Sequence, residues 1–221
     1  MCCSPIWTKS PNPPITNTTL NSTYVAAQQA LASLDKDWRG LLAQVGDCTL
    51  NPQPQSPYES LIRAVASQQL HSKAAQAILS RLLVLFNNQF PSPQQLVQSD
   101  FAALRNCGFS ASKVSTLQGI AEAALCGQVP DLSAAMQMTD AQLIEALTSL
   151  KGIGQWTVEM MLIFNLGRLD VLPVDDFAVR EGYKRFKNIS HISPKQLREI
   201  GAAWAPYRSV AAWYLWRVPK S

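Results

Sequence analysis

The sequence has no C-x-x-C spacing, and its five cysteines (Cys2, Cys3, Cys48, Cys107, Cys126) are scattered and odd in number. That argues against a disulfide framework, a zinc site or an iron–sulfur cluster, so no metal is expected. No uninterrupted apolar run reaches the ~20 residues that span a bilayer, and Met1-Cys2-Cys3-Ser4-Pro5 lacks the apolar stretch of a signal peptide. An intracellular protein with no membrane partner is expected. Alternating apolar and polar runs of strand length are missing too, and nothing repeats at a solenoid period. Charge is sparse, at 15% of 221 residues. That length suits one domain or two small ones around a shared core.

The net charge of +4 is unevenly spread: residues 1–150 carry −1 and residues 151–221 carry +5. A basic last third has two readings, a solvated face or a polyanion partner. Residues 1–23 are rich in Pro, Thr, Asn and Ser and read as a disordered tail ahead of a helical domain over 24–221. Ala27, Leu31, Leu34, Trp38, Leu41 and Val45 recur at three- and four-residue steps up to Gly46, predicting one amphipathic helix. Ser56-Pro57-Tyr58-Glu59, Thr139-Asp140-Ala141-Gln142 and Ser193-Pro194-Lys195-Gln196 carry the pattern of helix starts with capping boxes. Ser92-Pro93, Ser99-Asp100 and Ser110 open further segments. Ala74 to Phe86 is apolar on more than one side and is expected to be central. The fold class that follows is all-α.

The most informative stretch runs from Leu147 to Phe186. A helix capped at Thr139 ends at Ser149-Leu150, Lys151-Gly152-Ile153-Gly154 makes a turn, and Gln155 starts the next helix. The glycines allow a tight turn while Ile153 pins it to the core. The free N–H groups of the second helix can then bind a phosphate. Read alone, the turn is equally a tight structural connection. Asp175 and Asp176 follow Pro173 at the start of another helix, where either can act as a cap or as a functional carboxylate.

Leu150-Lys151-Gly152-Ile153-Gly154-Gln155-Trp156-Thr157 followed by Pro173-Val174-Asp175-Asp176 resembles the helix-hairpin-helix DNA glycosylases, in particular the DNA-3-methyladenine glycosylases of the AlkA type. Ser67 to Ala75 is similar to that family's minor-groove loop. The resemblance runs from about Tyr24 to Arg217 and departs from the bacterial AlkA enzymes in lacking their β-rich N-terminal extension, as the compact yeast-like members do. It implies two small helical lobes flanking a cleft, with a helix-hairpin-helix motif. It also implies a monofunctional enzyme that flips alkylated purines such as 3-methyladenine and 7-methylguanine out of double-stranded DNA, hydrolyses the N-glycosidic bond and leaves an abasic site.

Site residues follow from the same resemblance. The interval of 20 from Trp156 to Asp176 matches that between pocket Trp and catalytic Asp, favouring Asp176 as catalyst and Asp175 as the capping neighbour, whereas anchoring on Pro173 favours Asp175. Trp156 and Trp216 match the family's pocket tryptophans, and Phe164 makes a third wall. Gln69 stands at the position that fills the gap left by the flipped nucleotide, with His71 beside it. Lys151, Gly152, Ile153 and Gly154 would grip the strand, and Arg180, Lys184 and Arg185 are further phosphate candidates. Relatives that nick DNA carry Lys where this chain has Trp156, so no lyase activity and no organic cofactor are expected. The family also implies a monovalent cation at the hairpin carbonyls, a monomer, and a nuclear or, in a bacterium, cytoplasmic location. Two other readings stay open: a non-catalytic helix-hairpin-helix binder of damaged DNA, and a glycosylase for deaminated or oxidised bases.

Overall fold

The computed structural model describes residues 17–219, with side chains from residue 22 onward. Every regular element among them is helical. The chain runs through α1 (Asn17–Leu34), α2 (Lys36–Val45), α3 (Pro57–Ser67), α4 (Ser72–Leu85), α5 (Pro93–Gln98), α6 (Phe101–Asn106) and α7 (Ala111–Leu125). It continues through α8 (Leu132–Gln137), α9 (Asp140–Thr148), α10 (Gln155–Phe164), α11 (Phe177–Lys187), α12 (Pro194–Gly201), a 3-10 turn at Ala202–Trp204 and α13 (Arg208–Leu215). Two compact units result: Pro54–Met161, and the described residues 17–53 with 162–219. α1 begins at Asn17, so residues 17–23 of the segment read as a tail are helical. The rest of that expectation, residues 1–16, lies outside the described residues.

Most helix starts are local events. Ser92, Thr139 and Ser193 each form a reciprocal capping box, with Gln95, Gln142 and Gln196 respectively, satisfying two otherwise unpaired donors at once. Ser56 caps α3 by accepting from Glu59 N, with Pro57 in the first turn. The Glu59 carboxylate turns to Arg63 one turn on (2.8 Å) rather than back to Ser56.

In the first unit α7 is the shared floor, packing against α3, α5 and α6. Its Val114, Leu117, Ile120 and Ala121 meet a core that includes Leu61, Ile62 and Val65, all buried. Each such leucine contributes about 2 kcal/mol. α4 is not central as its composition suggested. Only Ala75, Ile78 and Leu82 are buried, and Val84 is 67% exposed, because α4 packs along one stripe against α3.

In the second unit the expected single helix over 27–45 is two helices. Asp35 is extended (φ −161°, ψ 176°) and its carboxylate accepts from Trp38 N, ending α1 and starting α2 in one residue. Lys187 Nζ bridges Asp35 and Asp37 at 2.7 Å each and fastens this corner to α11. Burial alone would raise the Asp35 carboxyl, but Lys187 and Trp38 N outweigh it and hold the group below its ordinary value. Trp38 packs edge-on against Trp204 (5.4 Å between centroids) and tilted against Phe186 (4.8 Å). α13 is buried from Ser209 to Leu215, and Tyr214 donates to the Gly46 carbonyl at 2.8 Å, where Gly46 ends α2 at φ 83°.

Gly182 of α11 lies against the α13 backbone, where an added Cβ would overlap the Leu215 carbonyl oxygen and sit 2.7 Å from its carbon. Backbone cannot swing aside as a side chain can, so Gly182→Ala should lower stability by about 3 kcal/mol. Gly40, mid-helix in α2 with nothing within 4 Å of an added Cβ, should gain up to ~1 kcal/mol as Gly40→Ala. Urea denaturation of the two variants reads both signs, with equal m-values expected.

Candidate functional site

The hairpin lies in the first unit. α9 closes at Ser149, Leu150 N bonds Leu147 O (3.2 Å) and Ile153 N bonds Leu150 O (3.1 Å). Its two glycines serve different ends. Gly152 has φ 85°, and a Cβ there would fall 2.9 Å from the Thr116 hydroxyl, so both conformation and space demand glycine. Gly154 has ordinary φ and open space beside it. Its carbonyl accepts from Thr157 N (3.0 Å) and Val158 N, which begins α10 and leaves the first N–H groups of that helix outside its ladder. Ile153 is buried and Lys151 exposed. The turn is thus anchored from beneath and bare on top, an arrangement able to take a phosphate.

The second element is the loop between α3 and α4. Gln69 is exposed with φ 57°, a left-handed conformation costing about 1 kcal/mol for a residue with a Cβ. Leu70 beside it is exposed, and His71 caps α4 through Nδ1, accepting from Lys73 N at a long 3.4 Å. The side-chain amide of Gln68 donates to Gly152 O at 3.2 Å, joining this loop to the hairpin. Lys113 of α7 donates to the carbonyls of Ala66 (3.2 Å) and Gln68 (2.8 Å). The sequence places Gln68 within the loop Ser67–Ala75 without giving it a partner and passes over Lys113, since neither contact leaves a local pattern.

In the second unit three residues of the predicted set come together. Phe164, ending α10, stacks on Trp216 with centroids 5.6 Å apart and planes 28° from parallel. Trp216 Nε1 donates to Asp176 Oδ1 at 3.0 Å, and the same oxygen accepts from Val179 N at 2.7 Å. Asp176 is only 8% exposed, and a buried carboxylate needs such donors. Here the sequence reading is corrected: Asp176 itself caps α11, and Asp175 is exposed. The segment leading to Asp176 is laced down. Ser209 Oγ donates to Arg168 O (2.7 Å) and accepts from Val171 N (3.0 Å), Arg208 forks onto Asp170 (2.6 and 2.8 Å), and Arg180 donates to Val174 O (3.0 Å). The Arg208 guanidinium holds the Asp170 carboxyl below its ordinary value. Arg180 and Lys184, read as phosphate candidates, are engaged with Val174 O and Glu181 (2.7 Å). Arg185 is half-buried.

Trp156 belongs to the first unit, at the second residue of α10, and is 44% exposed. Trp213 and Tyr214 are buried core. Phe177, directly after Asp176, is 70% exposed, an aromatic beside the carboxylate that the sequence did not single out. No group of three or more His, Cys, Asp or Glu side chains able to hold a metal ion occurs among the described residues.

A family model described as HhH-GPD superfamily base excision DNA repair protein matches residues 62–206. That span includes the loop, the hairpin and Asp176 but stops short of Trp216. The chain is 46% identical over 198 residues to a Schizosaccharomyces pombe protein named DNA-3-methyladenine glycosylase 1, covering 88% of this chain and 87% of that one. It is 39% identical to the alkylbase DNA glycosidase-like protein mag2 of the same organism, covering 90% and 96%. Among solved structures it is similar to the Schizosaccharomyces pombe 3-methyladenine DNA glycosylase in complex with abasic DNA. The TM-score is 0.79 at 44% identity, covering 87% of this chain and 95% of that one.

The doubled role of Asp176 Oδ1 has a consequence for folding stability. Asp176→Asn keeps an oxygen for Val179 N and Trp216 Nε1 and should cost well under ~1 kcal/mol, whereas Asp176→Ala removes cap and indole acceptor together and should cost about 2 kcal/mol. Chemical denaturation of the two variants side by side tests this. Equal losses would contradict the hydrogen-bond assignment.

Proposed function

Because the chain belongs to the HhH-GPD superfamily of base excision DNA repair proteins, we propose that it is a monofunctional DNA glycosylase. In this reading it removes alkylated purines such as 3-methyladenine and 7-methylguanine from double-stranded DNA, acts as a monomer and leaves an abasic site. The observation that carries the reading is the buried Asp176 carboxylate held by an indole that stacks on Phe164. A non-catalytic DNA-binding module has no use for such an arrangement.

The chemistry can be built from the residues. A base inside a duplex is out of reach of any side chain acting at C1′, so the nucleotide must first be flipped out. Gln69 fills the gap in the stack, with His71 near the minor groove, while Lys151, Gly152, Ile153 and Gly154 take the backbone. A base alkylated at a ring nitrogen carries positive charge, so the faces of the stacked Trp216 and Phe164 attract it, each by ~0.5–2 kcal/mol, and the resemblance gives Trp156 a like role. The same charge makes it a ready leaving group, and no strong general acid is needed. As the glycosidic bond stretches, positive charge passes to the sugar; Asp176 stabilises it and orients the water that adds at C1′. Lys is missing after the hairpin, where Trp156 stands, so no amine attacks C1′ and the strand stays intact.

A monovalent cation suits the hairpin chemically. Leu150 O and Gly152 O each accept a hydrogen bond, from Ile153 N and Gln68 Nε2, and a carbonyl has a second lone pair to offer. Such an ion would add positive charge facing a phosphate.

The test is an abasic-site assay over duplexes carrying alkylated, deaminated and oxidised bases. Release of alkylated purines is expected, with Asp176→Asn slower by about 10²–10³-fold at unchanged affinity for undamaged duplex, and with no borohydride-trapped adduct. Binding to every duplex with release from none would favour a pure DNA binder. Release confined to deaminated or oxidised bases would reassign the substrate.

A further inference from the structure

We propose that Lys113 is a positioning residue for base flipping: from α7 it clamps the peptide that precedes Gln69, so that the gap-filling side chain is presented in register with the hairpin. The inference rests on the proposed reading of Gln69 and goes beyond it in naming what holds that residue ready.

Three observations converge on one face of α7. The last carbonyls of a helix have no partner within it, and at the end of α3 two of them, Ala66 O and Gln68 O, accept from Lys113 Nζ at 3.2 and 2.8 Å. The Gln68 carbonyl belongs to the peptide from which Gln69 departs with φ 57°, so fixing that oxygen fixes the plane about which the left-handed turn is made. One turn along α7, Thr116 lies beneath Gly152 of the hairpin, and residues three apart share a helix face. The Gln68 side chain closes the circuit, donating to Gly152 O at 3.2 Å. One helix, buried along one face, therefore mounts both the loop and the turn, and Gln68 ties them directly. Burial pulls the Lys113 ammonium below the ordinary lysine value, in keeping with a charge withdrawn from water to serve two carbonyls.

A lysine that merely satisfies helix-end carbonyls would contribute to stability alone, and the two roles separate by substrate. Single-turnover excision is measured on an alkylated base in a duplex, where a gap must be filled, and in a single strand, where there is none. Lys113→Met should slow duplex excision about tenfold, the scale set by charge-assisted hydrogen bonds, leave the single-strand rate unchanged, and be rescued by Lys113→Arg. Gln69→Ala should show the same split, and the double variant should be no slower than the slower single, since both act through one side chain. Equal loss on both substrates, or multiplicative losses in the double variant, would overturn the clamp. Gln68→Ala strands no charge and carries the same duplex-to-single-strand comparison should Lys113→Met fail to fold. If the wild-type chain releases no base at all, the proposed function fails on that control. The clamp is then read without chemistry, by 2-aminopurine placed across from a stable abasic analogue. Lys113→Met should share the signal of Gln69→Ala and differ from wild type; a wild-type signal overturns the proposal.

Discussion

The missing side chain at Gly182 sets the geometry on which the second unit depends. It lets α11 lie against the Leu215 carbonyl of α13, bringing the two residues that matter into register. Asp176 precedes α11 and Trp216 follows Leu215, so close backbone approach at one point puts the indole N–H on the carboxylate at 3.0 Å. The remaining contacts make that register rigid. Ser209 and Arg208 bind the chain between Arg168 and Val171 to α13, and Arg180 holds Val174 O. The carboxylate is thus approached from both sides by elements that are themselves buried and bonded. Such support from surrounding packing is what a precisely placed charged group requires.

Burying a carboxylate is costly unless its lone pairs are met, and here one oxygen meets both a backbone and an indole donor. Structural and chemical readings of Asp176 are therefore not alternatives. The cap orients the group, and the stacked Phe164–Trp216 pair places aromatic surface beside it. The same economy appears at the hairpin, where Gly152 is demanded by the protein's own packing and Gly154 leaves open space on which a ligand backbone can close.

What was legible in the sequence was local. The boxes read at Thr139 and Ser193 hold because donor and acceptor lie three residues apart, the one read at Ser56 keeps only its cap because Glu59 turns to Arg63, and the buried Ile153 and the hairpin bounds follow from glycine placement. Asp35 escaped notice because the apolar spacing from Leu31 to Trp38 carries across the break without losing phase; only the Asp-Lys-Asp run hinted at a new start. The apolar face of α4 misled because hydrophobicity does not say whether a neighbour covers it. The cap was assigned to Asp175 instead of Asp176 for a related reason: which of two adjacent carboxylates turns inward to Val179 N is tied to Trp216, forty residues on. Lys113 and Gln68 were hidden likewise, their partners being backbone carbonyls that any sequence possesses.

The charge excess of residues 151–221 takes a different meaning once its partners are known. Lys187 is committed to Asp35 and Asp37, Arg208 to Asp170, Lys184 to Glu181 and Arg180 to a carbonyl. Much of the positive charge counted in the sequence is therefore already met within the protein, and it organises the second unit before any polyanion arrives. In the proposed reading, grip on a phosphate falls to the exposed Lys151 and the backbone at the start of α10. Affinity of that kind depends less on counterion release than an arginine-rich face would, and it positions a strand without reading its sequence. That is the requirement on a protein whose target is defined by damage and not by neighbouring bases.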